Sequence, residues 1–281
     1  MEQVQKTTLL TEGPIWKRMT AFAFPLFLGN LFQQLYNTAD SLIVGNFLGS
    51  NALAAVSSSG SLIFLLVGFF NGIAIGAGVV IAKYYGARQT ERLQKAIHTT
   101  IGFGIISGIL LTIIGILLAP QILIWMKTPA DVLPNSILYF RIYFLGSPAF
   151  VLYTHFVGIL QSVGDSRHPL YYLIFSSLVN IVLDLLFVGV FHMGVGAAAA
   201  ATIISQFLSA ALCLYRLMKK SPEEYRVSLR RIRLDPFMLR QIIKNGLPAG
   251  IQNSIISIAN VVVQSNINGF GKMAVAGCGS Y

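Results

Sequence analysis

The sequence predicts an all-α polytopic membrane protein, with a six-helix N-terminal bundle and the first one to two helices of a second, parallel-repeat bundle. Three observations predict it. Apolar residues make up 55% of the chain, charged residues only 11%, and mean hydropathy is +0.70, more than a soluble core requires. Charged residues and Gly/Pro punctuation cut the 281 residues into long apolar runs, each near the roughly 20 residues that cross a bilayer. A segment that opens the first run returns 223 positions later.

The first run, 16 to 44, is too long for a signal peptide and lacks a small-residue cleavage site, so it predicts an uncleaved span. Runs at 52 to 82, 93 to 118, 134 to 157, 169 to 190, 195 to 217 and 238 to 264 predict six more, and an eighth begins near Ala274. Gly68, Gly72 and Gly76 on span 2, and Ala197 to Ala201 on span 6, predict close helix packing. The expected organisation is a lobe at 1–217, a basic linker at 218–237 and the start of a C-terminal lobe at 238–281.

Lysine and arginine set the expected orientation. Seventeen of them fall on one side of the alternating spans, in the segments holding Lys6 to Arg18, Lys83 to Lys95, Arg167 and Arg216 to Lys244. Three, Lys127, Arg141 and Lys272, fall on the other. The positive-inside rule places the N-terminus and the linker in the cytoplasm of a multi-pass cell-membrane protein, in contact with membrane lipids. The same rule accounts for the net charge of +10. Nucleic-acid binding is not expected, since no basic groove is interleaved with aromatics. Cys213 and Cys278 show no metal-ligand spacing, and His98, His155, His168 and His192 lack helical His or Cys partners. With no phosphate-binding glycine loop either, the sequence predicts no cofactor and no direct ATP drive.

The repeat organises the chain. Pro25, Asn30, Asn37 and Phe47 recur as Pro248, Asn253, Asn260 and Phe270; after a shift of one, Gly49, Ala52 and Ala54 pair with Gly271, Ala274 and Ala276. Six spans separate the copies, so both enter the bilayer in the same direction. The second copy is incomplete, which predicts a fragment of a protein of about twelve spans. Asp40 pairs with Val263, so carboxylate chemistry belongs to the N-terminal lobe.

Of the ten acidic residues, only Asp40 and Asp184 fall inside long apolar runs. Gln33, Asn37 and Asp40 form one helical stripe with i, i+4, i+7 spacing; Asn180 and Asp184 on span 5, and Thr202 and Gln206 on span 6, are each spaced i, i+4. Counting about 1.5 Å per residue from Pro169 puts Asp184 in the outer half of the bilayer, where Asp40 also falls. Amides alone are often helix-to-helix hydrogen-bonding groups. Two carboxylates without an intramembrane Lys or Arg point instead to an ion site. Protons suit a pair of buried acids. A small hard cation suits the oxygens of Asn180, Asp184 and Thr202. Pro25 reads equally as a hinge or as a static kink. Asp165, in a short turn with Arg167, reads as a turn or cap residue.

Three segments resemble the multidrug and toxic compound extrusion (MATE) transporters, most closely the DinF-like branch: PLFLGNLFQQLYNTADSLIVGNFLGSNALAAV at 25–56, GILQSVGDSRHP at 158–169, and GLPAGIQNSIISIANVVVQSNINGFGKMAVAG at 246–277. The resemblance implies twelve spans in two bundles around a central cavity, and export of cationic amphipathic drug-like compounds driven by Na⁺ or H⁺. It implies ion coupling at Asp40 and Asp184, with Asn180 and Thr202 in the cation-site pattern, and cavity positions at Gln34, Tyr36 and Asn37. Gln206 is added from the residue pattern. The chain stops at Tyr281, so full transport is expected to need a C-terminal lobe as partner. Two alternatives remain at this stage: a lipid-linked saccharide flippase, whose cavity would carry cations, and a non-transporting membrane scaffold that uses the basic linker.

Overall fold

In the computed structural model, described over residues 14–271, 273–275 and 277, every regular element is a helix. Lys6, Lys272, Ala276 and Cys278 lie outside the described residues. Helix α1 (Ile15–Gly86) is one run with a single break at Gly49, where φ is 80° and ψ −176°, a conformation open only to glycine. That break divides α1 into limbs 15–48 and 50–86. Next come α2 (Thr90–Trp125), α3 (Leu133–Leu145), α4 (Ser147–Ser162) and α5 (Arg167–Asp184). Last are α6 (Val195–Tyr215) and α7 (Pro236–Asn268).

Five described helices are long and apolar enough to cross a membrane, or six if the bent pair α3–α4 counts as one span. The first limb of α1 is not among them. Asn30, Gln33, Gln34, Asn37 and Asp40 dilute its apolar character although its length suffices. The span expected at 134–157 is broken: α3 and α4 meet at 50° across Gly146. Pro148, two residues on, cannot continue the hydrogen-bond ladder of α3, and Ile203 of α6 lies where a Cβ on Gly146 would sit.

Large apolar side chains such as Leu117 and Trp125 are about 70% exposed, as expected where lipid rather than water is the solvent. Inside, one core gathers Val44, Leu123, Phe140, Phe144 and Val188. A second joins Ile81, Leu93, Ile97, Leu160, Leu217 and Ile242.

Helix α5 does not stop cleanly. Leu185–Val190 continue it as a π-helical turn, with the Phe191 amide donating to the Leu186 carbonyl at 2.9 Å. Helix α7 buries Met238, Ile242, Gly246, Gly250, Ser257, Gln264 and Asn268, a stripe with near-fourfold spacing. Its glycines meet the second limb of α1 backbone to backbone: a Cβ on Gly72 would strike Gly250, and one on Gly76 would strike Gly246. The repeat has structural counterparts. Pro25 and Pro248 both lie inside helices, and Gly49 and Gly271 both have left-handed φ, 80° and 87°.

The basic segment between α6 and α7 is seated against the bundle. Gln94 of α2 donates to the carbonyls of Glu223, Glu224 and Arg226 at 3.2, 2.8 and 3.3 Å. His98 accepts from the Ser228 amide, and the Thr99 hydroxyl accepts from the Asp235 amide, both at 3.1 Å. Tyr225 is buried, and burial pushes its hydroxyl up to about 12. Asp235 caps α7 by accepting from the Met238 amide at 2.9 Å.

Candidate functional site

Asp40 on α1, Asp184 at the end of α5 and Thr202 on α6 converge in the bundle interior. Asp184 is fully buried and Asp40 is 9% exposed, so neither faces lipid. Their carboxyl groups lie close enough for each to act on the other's charge. One oxygen of each, Asp40 Oδ1 and Asp184 Oδ1, is buried with no hydrogen-bond partner.

Asn180 lies one turn before Asp184 on α5 and is fully buried. With its amide oriented by its neighbours, Nδ2 donates to Asp184 Oδ2 at 2.9 Å and Oδ1 accepts from the Thr202 amide at 3.2 Å. The Thr202 hydroxyl donates to the Ala198 carbonyl at 3.1 Å, and buried Tyr36 of α1 lies close by. Three helices thus converge on one polar cluster.

Two residues join it that the sequence did not single out. Tyr139 and Tyr143 of α3 stack with ring centroids 6.3 Å apart, close enough to Asp40 for its charge to act on both. Their i, i+4 spacing was visible, but tyrosines on a half-apolar helix do not advertise which acid they will meet.

Other expected cavity residues stand apart. Gln34 is exposed, six residues from Asp40 and so on a different face of the helix. Asn37 is half-buried and accepts from Gln33 at 3.4 Å. Gln206 is half-buried, with its Oε1 buried and unpartnered. Pro25 is buried within α1, with helical backbone on both sides. Arg141, the nearest candidate for a fixed counter-charge, is exposed. Among the described residues, the ion pairs Lys95–Glu91, His168–Asp165 and Arg216–Asp165 leave Asp40 and Asp184 without a basic partner.

A helical bundle with apolar spans that buries two neighbouring carboxyl groups defines a class: polytopic membrane proteins with an intramembrane acidic site. Residues 25–186 match the MatE family model, more than half of the chain, and the chain belongs to that family, one of transporters rather than enzymes. It is 35% identical over 271 residues to the "Probable multidrug resistance protein YoeA" of Bacillus subtilis (strain 168), covering 94% of this chain and 58% of that protein. It is 25% identical to the "Multidrug export protein MepA" of Staphylococcus saprophyticus, covering 95% and 59%. The fold superimposes on an inward-facing multidrug resistance MATE family transporter of the MOP superfamily with TM-score 0.82 and 27% identity, covering 88% of this chain and 56% of the other. A second solved structure, MATE in the bent conformation, gives TM-score 0.83 and 27% identity, covering 90% and 56%. The chain therefore spans somewhat under two thirds of the length of these relatives.

Proposed function

We propose that the chain forms the ion-coupling lobe, and the opening of the second lobe, of a secondary multidrug exporter in the plasma membrane, with its N-terminus in the cytoplasm. Substrates are drug-like compounds, as the multidrug names of the relatives suggest, and the acidic site favours cationic ones. Full transport requires a second lobe, since those relatives are longer than this chain.

The observation that supports this reading is the burial of Asp40 and Asp184 close to each other in the bundle, with no Lys or Arg paired to either among the described residues. Two ionised carboxylates close together repel strongly, and a mobile positive species relieves the repulsion. When that species arrives, the two acids hold α1 to α5; when it leaves, repulsion separates them and the cationic substrate takes its place. The amide orientation of Asn180 that satisfies both of its neighbours supports the proton. Its NH₂ faces Asp184, holding the carboxylate as a donor, whereas Na⁺ would need the amide oxygen turned inward. The proton is therefore the proposed coupling ion, with Asp40 and Asp184 as its carriers, and Asn180, Thr202 and Tyr36 as their positioning residues. Pro25 is proposed as the hinge of the first limb, since its ring leaves the carbonyl one turn earlier without a donor.

A flippase for lipid-linked saccharides would need cations beside the cluster, and Arg141, the nearest arginine considered, is exposed. The test uses proteoliposomes carrying the two-lobe protein, loaded with a fluorescent cationic dye and given a pH gradient or a Na⁺ gradient separately. Asp40→Asn and Asp184→Asn are expected to lower pH-driven efflux by at least about tenfold, a loss of one coupling interaction. Wild-type efflux by either variant, or drive by Na⁺ alone, would remove the proton assignment.

A further inference from the structure

Away from the carboxyl pair, the seated linker and the start of α2 enclose a cleft of about 350 Å³. It is lined by Gln94, His98 and Thr99, by the basic Lys95, Arg231 and Arg233, by the acidic Glu91 and Asp235, and by Leu234. We propose that this cleft binds the headgroup of an anionic phospholipid, with the phosphodiester held between Arg231 and Arg233.

Charge is the first argument. Lys95 is committed to Glu91 at 2.7 Å, and the Asp235 carboxylate caps α7. Among the described residues, Arg231 and Arg233 have neither an ion pair nor a hydrogen bond to their guanidinium groups, and both are exposed. Planar guanidinium groups match phosphate oxygens two at a time. The positive-inside bias accounts for basic residues on this side of the bundle. It does not account for two arginines without an ion-pair partner converging on one cleft, where the lining's three basic side chains outnumber its two carboxylates.

A second observation is an unused acceptor. The Nε2 of Gln94 is spent on three linker carbonyls, while its Oε1 is buried without a partner. The hydroxyl of a glycerol headgroup supplies the missing donor.

Placement decides between a lipid and free phosphate. Leu234 is 40% exposed and Phe237 is 58% exposed, directly beside the arginines in the sequence Arg-Leu-Asp-Pro-Phe. Ile232 and Leu234 rest against α2 at Gly102, inside a helix long and apolar enough to cross the membrane. Apolar side chains next to arginines that have no ion-pair partner, where two spans begin, have the polarity profile of a lipid interface.

The test titrates the purified chain in micelles with phosphatidylglycerol or phosphatidylcholine and counts bound lipid by native mass spectrometry. Phosphatidylglycerol should bind about tenfold more tightly, and the double variant Arg231→Gln/Arg233→Gln should lose that preference. Arg240→Gln/Lys244→Gln, equally basic but outside the cleft, should keep it within about twofold. Equal loss in both variants would mean diffuse charge attraction and overturn the site. Inorganic phosphate at 100-fold excess over lipid, roughly the range needed to detect a shared site, should leave the lipid bound; displacement would make free phosphate the ligand and overturn the lipid proposal. Should the arginine variant fold poorly, Leu234→Asn keeps every charge and should still weaken phosphatidylglycerol binding. Unchanged binding by Leu234→Asn would count against the lipid.

Discussion

Asp165 ties the start of α5 to the end of α6. Its Oδ1 accepts from the His168 amide at 3.2 Å and pairs with the His168 ring at 2.8 Å, while Oδ2 receives Arg216 at 3.5 Å. The sequence read this residue as a turn or cap beside Arg167; the turn is there, with Gly164 at φ 90°, but the arginine that reaches it is Arg216, 51 positions on. Burial alone would raise its carboxyl, yet His168 and Arg216 outweigh burial and hold it below the usual carboxylate range. A lowered folded value means the stabilisation is present above the ordinary Asp value, near 4, and is lost as pH falls through the lower folded value. Asp165→Asn is expected to lower thermal stability in detergent at pH 7 by about 1–3 kcal/mol. Below pH 4 the gap between variant and parent should narrow, and a gap that widens there would contradict the assignment.

Between elements, the second limb of α1 and α7 meet where neither helix has a side chain. Glycine pairs four residues apart on both helices, Gly72 with Gly76 and Gly246 with Gly250, let the backbones touch. The expectation of close packing at Gly68 to Gly76 was legible as a period of four; the partner helix was not, because nothing in a small-residue stripe says which neighbour it will face. Gly72→Ala must push backbone against backbone and should destabilise by about 1–3 kcal/mol. Gly86→Ala is the control, since nothing lies within 4 Å of its Cβ. Thermal unfolding of both variants checks the contrast, and an unaffected Gly72→Ala would show that the helices are not held in this contact.

Across the whole molecule, the linker is a fixed part of the bundle. Gln94 alone donates to three of its carbonyls, so Gln94→Ala should speed tryptic cleavage after Arg226 by about tenfold or more, read by gel, while equal rates would mean the segment is free in solution. Composition made the helical membrane class readable, and charge exclusion exposed Asp40 and Asp184. The seating of the linker was hidden, because Arg and Lys runs look alike whether solvated or docked, and the hydrogen bonds that seat this one come mainly from backbone groups. The stacked tyrosines beside Asp40 were hidden for a related reason: the break at Gly146 sets the direction of α3, and neither the break nor that direction follows from hydropathy.

The irregular turn that follows Asp184 holds one residue more than an ordinary helical turn would. Were that surplus residue taken up into regular helix, everything beyond it would rotate by about 100° about the axis and shift by about 1.5 Å, while the acid just before it stayed in place. A screw-like slip of this kind would let the outer tip of this helix move while its charged end remained anchored.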